Sequence, residues 1–113
     1  MEIRKTYRNV TPELLYDEMR DFVLKQGATL SEAKLQTYSL PSGASHVTRA
    51  TLTFKAQEKQ GKAEEEGLRV HIVRSAGSET KMMLDVDEKL FSPSKISSLE
   101  EDLRFIFGSY ESN

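Results

Sequence analysis

The residues best suited to chemistry lie in the stretch LRVHIVRSAGSETKMMLDVD, which runs from Leu68 to Asp87. It holds His71, one of the two histidines of the chain, and also Asp85. A histidine held by a carboxylate and facing a nucleophile would be a general base for hydrolysis or acyl transfer. The sequence supplies neither that nucleophile nor a pocket around it. We therefore expect no catalytic residue, and we place His71 on the exposed face of a strand.

Apolar residues occupy every second position in both halves of this stretch. They are Leu68, Val70 and Ile72, then Met82, Leu84 and Val86. The alternation predicts two strands that each bury one face. Their matching parity predicts a connecting loop of about three residues, with Gly77 at positive φ. Arg69 then shares the open face with His71 and lies opposite Asp85 or Asp87, where ion pairs contribute about 0.2–1 kcal/mol each.

Other short motifs have structural interpretations. His46 follows the turn PSGAS and has no second histidine at ligand spacing, so it does not predict a metal site. In DVDE at 85–88, the carboxylates of Asp85 and Asp87 are two residues apart along a strand, a wide spacing for coordinating one metal ion. SPSK at 92–95 matches the S-x-x-K pattern of serine β-lactamases, but Ser92 is better explained as a helix cap. We expect no metal and no cofactor.

Two matching signals predict the starts of two helices. In VTPELL, Thr11 is a suitable N-cap and Pro12 takes the first helical position; in FSPSKI, Ser92 and Pro93 play the same parts. Gly27 is placed to end the first helix. The first apolar stripe is Leu15, Met19, Phe22 and Val23, and the second is Ile96, Leu99, Leu103, Ile106, Phe107 and Tyr110.

Strand patterns fill the rest of the chain. The remaining predicted strands are Glu2–Arg8, Ala33–Leu40 and His46–Ala56. Residues 57–66 are polar and predict a long, mobile hairpin loop. The order β-α-β-β-β-β-α with one apolar face per strand predicts an α+β fold: a two-layer sandwich with a five-stranded antiparallel sheet and both helices on one face. Residues 1–113 are expected to form a single domain.

Composition limits the class of protein. Leu, Ile, Val and Phe make up 27 of 113 residues, about 24%, which is enough to fold. The formal net charge of −2 indicates no overall preference for nucleic acid or membranes. There is no cysteine, which excludes disulfides and thiolate chemistry. Because the N-terminus has no apolar run, we expect a cytoplasmic protein without membrane contact.

The opening EIRKTYRNVTPELLYDEMRDF, together with the element order, resembles the START/Bet v 1-like (polyketide-cyclase-like) superfamily and its TBP-like, helix-grip topology. That resemblance implies a small apolar ligand held between the C-terminal helix and the sheet. It also leaves open, as an alternative, a cyclase-like enzyme whose cavity does much of the work. The residues expected to face such a ligand, or otherwise to form plain core, are Tyr7, Phe54, Ile72, Met82, Phe107 and Tyr110.

The open face of the sheet offers a different site. Its basic residues are Arg4, Arg8, Lys34, Arg49, Lys55, Arg69 and Lys81, and its acidic residues are Glu2, Asp85 and Asp87. Such a face could dock an anionic or protein partner, or it could simply keep the sheet soluble. The residues expected to meet an anionic partner are Arg4, Arg49, Arg69, His71 and Lys81. Single-stranded nucleic acid is a further alternative, for which Tyr38 is the only aromatic residue we expect on this face. The oligomeric state is left open.

Overall fold

Within the described part of the chain, five strands and two helices follow one another in the predicted order β-α-β-β-β-β-α. The computed structural model describes residues 1–39, 41, 46–56, 65–74, 77 and 79–112. The strands are β1 (Glu2–Arg8), β2 (Thr29–Ser39), β3 (His46–Lys55), β4 (Glu66–Arg74) and β5 (Glu79–Val86); the helices are α1 (Pro12–Lys25) and α2 (Pro93–Phe107), the latter followed by a 3₁₀ turn at Gly108–Tyr110. None of the helices in the described part of the chain is both long and apolar enough to cross a membrane.

Both helices begin at the caps predicted from the sequence. The Thr11 hydroxyl accepts a hydrogen bond of 3.2 Å from the Leu14 N–H. The Ser92 hydroxyl accepts one of 3.4 Å from the Lys95 N–H. Each cap satisfies one of the N–H groups that a helix start leaves free, and the following proline lacks the N–H that would need a partner. The paired caps fix where each helix leaves the sheet.

The five strands form one antiparallel sheet in the spatial order β1-β5-β4-β3-β2. Arg69 lies opposite Asp85, and Ile72 lies opposite Met82, so the β4–β5 hairpin has the predicted even register. Gly77 in its turn has a φ of 134°, a conformation that favours glycine. The predicted α+β class, with a five-stranded antiparallel sheet, is confirmed.

The core lies between one face of the sheet and the two helices. The helices also contact each other, because Lys25 lies 3.3 Å from Asp102 and the Gln26 amide donates a 3.0 Å hydrogen bond to Ser98. Both helices cover the same face, as predicted. The buried hydrophobic residues of the strands are Ile3, Tyr7, Ala50, Leu52, Phe54, Leu68, Val70, Ile72, Met82, Leu84 and Val86, with Ala56 directly after β3. The large buried hydrophobic residues of the helices are Leu15, Met19, Phe22, Val23, Ile96, Leu99, Leu103 and Phe107.

Two residues of the predicted α2 stripe lie outside the core. Ile106 is 42% exposed and Tyr110 is 46% exposed. The side chains of neighbouring helix residues point about 100° apart. Because the Phe107 side chain points into the core, the Ile106 side chain points to the side of the helix. Tyr110 lies in the 3₁₀ turn, where the tighter winding breaks the period of the stripe. The prediction that the stripe buries Ile106 in the core was wrong, and the buried stripe does not continue to Tyr110.

The second strand differs from the prediction in length and burial. It begins at Thr29 rather than Ala33, and it is interrupted by a bulge between Leu30 and Glu32. Apart from Leu30, which packs partly against the core, its residues are exposed. An edge strand that buries so little needs no apolar alternation, which explains why the sequence pattern revealed only part of it.

Two predicted connections fall largely outside the described residues. The turn PSGAS at 41–45 is described only at Pro41. Of the predicted loop at 57–66, residues 57–64 are not described, so its predicted mobility stays a prediction. Glu66 belongs to β4 instead of the loop, and it lies opposite Lys55.

Candidate binding surface on the open sheet face

Five of the six residues expected to face an apolar ligand are packed in the core. Tyr7, Phe54, Ile72, Met82 and Phe107 each expose 2% of their surface or less. The sixth, Tyr110, is exposed and lines a separate surface depression beside Asn9 and Ser109. The structure therefore brings five of these side chains together as packing partners and leaves Tyr110 apart from them.

The space beneath the C-terminal helix is nearly filled. Between α1, β4 and α2, next to Leu68, Phe91 and Leu99, there is an opening of about 10 Å³. A volume of that size holds about one water molecule. An apolar ligand at this place would have to displace core side chains.

The register places the open-face residues in rows that run across the strands. The first row is Thr6, Lys81, Val73, Arg49 and Gln36. The second row is Arg4, Met83, His71, Thr51 and Lys34. The third row is Glu2, Asp85, Arg69, Thr53 and Glu32. The first two rows contain four basic residues and no acid, whereas the third contains three acids and one base. Charge is therefore separated along the strands.

Two of the basic residues are engaged by acids of their own strand. The Arg4 guanidinium lies 2.5 Å from the Glu2 carboxylate, and the Lys34 ammonium lies 2.9 Å from the Glu32 carboxylate. The hydrogen bond and charge of Lys34 lower the pKa of Glu32, and the same contact raises the pKa of Lys34. All four side chains are exposed, so water screens these pairs and they contribute little to stability.

The other two basic residues, Arg49 and Lys81, have a different environment. Within the described ranges, no acidic group lies within 4.0 Å of either side chain. They share the first row and are separated by Val73. Two strand spacings of about 4.8 Å separate them by about 10 Å. As far as the described residues go, these two exposed cations are available to an anion from outside the chain.

His71 lies near the middle of the open face and is half-buried. Its strand neighbours across the sheet are Thr51 and Met83. In the part of the chain that the structure describes, its ring makes no side-chain hydrogen bond and no ion pair. The predicted open-face location is correct, although His71 is less exposed than expected. Among the described residues, no acid contacts the ring to orient it as a general base.

A shallow depression on the open face is lined by Lys81 and His71 but not by Arg49. It has a volume of about 490 Å³, and its lining residues include Arg4, His71, Val73, Lys81 and Met83. Its lining therefore combines basic side chains with the apolar side chains of Val73 and Met83. We call Arg4, Arg49, His71 and Lys81 the cationic patch. Arg69 was predicted to belong with them, but it lies in the acidic third row and contacts Glu66 at 3.4 Å.

Three further acids lie on this face that the sequence pattern did not predict there. Glu32 was left outside the predicted strand, Glu66 was assigned to a loop, and Glu79 was not counted; the register places Glu79 opposite Arg8. The net charge of the whole open face is therefore closer to zero than the predicted set of seven basic and three acidic residues implies. The parity of Glu79 with Lys81 was a signal that could have identified it.

The remaining candidate groups serve local structure. The Asp87 carboxylate accepts a 2.9 Å hydrogen bond from the Lys89 N–H, which closes the turn after β5. The His46 ring lies 3.3 Å from the Ser39 hydroxyl at the end of the β2–β3 hairpin. Among the described residues, no group of three or more His, Cys, Asp or Glu side chains could hold a metal ion.

Comparisons of the chain with protein-family models, with curated proteins and with solved structures give no significant match.

Proposed function

We propose that the chain is a small non-enzymatic binding module that docks an acidic protein segment on the cationic patch. The observation that carries this proposal is the position of Arg49 and Lys81. They are exposed, have no acidic partner in the described part of the chain, and flank the apolar side chain of Val73. A partner that places carboxylates on both cations also covers the apolar surface between them.

The spacing of the two cations favours an extended segment. A polyproline II segment rises about 3.1 Å per residue and repeats every three residues. Acids three positions apart therefore lie on one side, about 9 Å from each other. That separation is close to the two strand spacings between Lys81 and Arg49. Binding of this kind weakens with added salt, because exposed charges are screened.

An apolar ligand beneath α2 is less well supported, because the opening there is only about 10 Å³. Single-stranded nucleic acid is also less well supported. It is bound by basic grooves with aromatic side chains on which bases stack, and Tyr38 on this face lies opposite Val47, outside the rows of the cationic patch. The START/Bet v 1-like resemblance stays a proposal supported by the element order. A cyclase-like enzyme is less well supported, because no acid in the described part of the chain pairs with His71.

A peptide titration tests the proposed function. The probe is a twelve-residue peptide of four Glu-Pro-Pro repeats, and its control replaces each glutamate by glutamine. We expect the acidic peptide to bind and the neutral one not to bind. The double variant R49E/K81E should bind at least about tenfold more weakly, since several exposed charge pairs of about 0.2–1 kcal/mol change sign.

The matched control is the double variant R104E/K89E, which changes the net charge by the same amount at two exposed basic residues outside the patch. It should bind within about twofold of the original chain. Equal losses in both variants would mean that only net charge matters and would overturn the assigned site. Tighter binding of a twelve-nucleotide oligo-dT than of the acidic peptide would replace the proposal with a nucleic-acid function.

A further inference from the structure

The two edge strands of the sheet differ in whether another segment of the described chain pairs with their outer side. Along the outer edge of β1, the C-terminal segment pairs with the strand: Tyr7 forms a bridge with Glu111, and the Ser112 N–H donates a 2.7 Å hydrogen bond to the Thr6 carbonyl. The opposite edge is β2. Among the described residues, no strand or bridge pairs with the outer side of β2. A free edge of this kind offers a row of N–H and C=O groups to another strand.

The segment of β2 after its bulge is suited to pairing. Residues 32–39 run without a further irregularity beside β3. They contain one acid, Glu32, and one base, Lys34, so the segment is neutral. Leu35 is 40% exposed on the helix side and Tyr38 is 46% exposed on the open face. Two such segments have no net charge when they pair, and their pairing covers apolar surface on both faces of the sheet.

Symmetry restricts how two copies can pair. When two sheet edges join antiparallel about a two-fold axis, the residue on the axis meets its own copy, and opposed residues share a face. An axis at Glu32 or Lys34 would place like charges directly opposite each other, which is destabilising. An axis at Ala33 would place the bulge of each copy opposite the regular segment of the other, which would interrupt the pairing.

An axis at Thr37 or Tyr38 would pair only residues 35–39 or 37–39, because the strand ends at Ser39. The axes at Leu35 and Gln36 remain, since each pairs seven residues. With Leu35 on the axis, residues 32–38 of each copy pair over their whole length, and the two leucines contact each other. With Gln36 on the axis, Leu35 instead lies opposite the polar Thr37. The first arrangement buries more apolar surface and places the Tyr38 hydroxyl across from the Glu32 carboxylate.

We propose that β2 pairs antiparallel with β2 of a second copy of this chain, about a two-fold axis through Leu35. The two five-stranded sheets then become one continuous sheet, with all the helices on one face. The bulge at Ser31 ends the paired segment on one side and the strand end at Ser39 ends it on the other. This proposal is independent of the cationic patch, because none of the four residues of that patch belongs to β2.

Cysteine variants test the register, since the chain has no cysteine of its own. Under mild oxidation, Leu35→Cys should form a disulfide-linked dimer rapidly, because directly opposed Cβ atoms lie about 4.5–5.5 Å apart. The control Thr37→Cys lies on the same strand and face, but its copy would be on the far side of the axis. It should cross-link at least about tenfold more slowly, since disulfides need Cα atoms within about 7 Å.

Light scattering coupled to size-exclusion chromatography measures the association itself. The original chain should approach twice its mass of 12.8 kDa as concentration rises, whereas Leu35→Lys should stay at the single-chain mass. A single-chain mass at every concentration overturns the proposal, as does a dimer that Leu35→Lys leaves intact. A Thr37→Cys variant that cross-links as fast as Leu35→Cys overturns the axis. None of these outcomes bears on peptide binding at Arg49 and Lys81.

Discussion

The aromatic rings of Tyr7 and Phe107 lie 5.6 Å apart and are tilted by 53°. This contact joins the first strand to the last turn of the C-terminal helix, and both side chains are almost fully buried. Aromatic pairs in this arrangement contribute about 0.5–1.5 kcal/mol beyond the area they bury. The two ends of the chain are therefore held together through the core.

Truncation of Phe107 should strongly destabilise the protein. Phe107→Ala removes a buried ring from a closely packed site, so we expect the free energy of unfolding to fall by about 3–5 kcal/mol. Urea denaturation followed by circular dichroism measures the change. Phe105 is the matched control: it lies two residues earlier on the same helix and is 88% exposed. Phe105→Ala should change stability by no more than about 0.5 kcal/mol. Similar small losses in both variants would argue against a filled core.

Gly67 is required by close packing at the start of β4. A Cβ atom at this position would lie 2.8 Å from the Phe91 ring and 3.0 Å from Leu90. Gly67→Ala should therefore cost about 1–3 kcal/mol of stability through overpacking. Gly108 has a helical backbone, and a Cβ there would meet only the flexible Arg104 side chain at 3.4 Å. Thermal melts should show Gly108→Ala to be neutral or stabilising. A Gly67→Ala variant with an unchanged melting temperature would contradict this reading.

Tyr7 should make stability depend on pH in the alkaline range. Burial, and to a lesser extent the Glu111 carboxylate, raise the pKa of Tyr7 from its usual value of 10.0 to about 12. Between these values the unfolded chain loses its phenol proton while the folded chain keeps it. Stability should therefore fall as pH rises from 10 towards 12. Urea denaturation across this window should show a shallower fall for Tyr7→Phe than for the original chain. The same slope in both proteins would contradict the assignment.

The C-terminal segment should stabilise the edge of β1 through one backbone hydrogen bond. Ser112→Pro removes the N–H that donates to the Thr6 carbonyl. Glu111 has φ −69° and ψ 129°, which a residue before proline adopts without strain. We expect a loss of about 0.5–1.5 kcal/mol, together with faster hydrogen exchange in β1. Ser112→Ala keeps the N–H and should behave like the original chain; equal losses in both variants would point to the side chain instead.

The sequence was most informative where one residue type serves one local purpose. Thr11 and Ser92 marked both helix starts because a capping hydroxyl before proline has few other uses. The parity of Ile72 and Met82 fixed the register of the β4–β5 hairpin, because a shift by one residue would expose every apolar side chain.

The features that the sequence missed depend on tertiary context. Thr29–Glu32 carried no strand pattern, because an edge strand need not alternate. Ile106 looked like core because the helical stripe does not show where the helix stops facing the sheet. The separation of Arg49 and Lys81 from the acids arises from alignment across strands, which no single segment encodes.

The most direct test of the proposed function is an NMR titration of the ¹⁵N-labelled chain with the Glu-Pro-Pro peptide. We expect the largest amide shifts in the first two rows of the open face, at Arg4, Arg49, His71, Val73 and Lys81, with small shifts in α1 and α2. The shifts should diminish as salt is added. Shifts centred on α2 and the neighbouring core would favour a ligand site beneath that helix. An absence of shifts at millimolar peptide would contradict the account of the cationic patch.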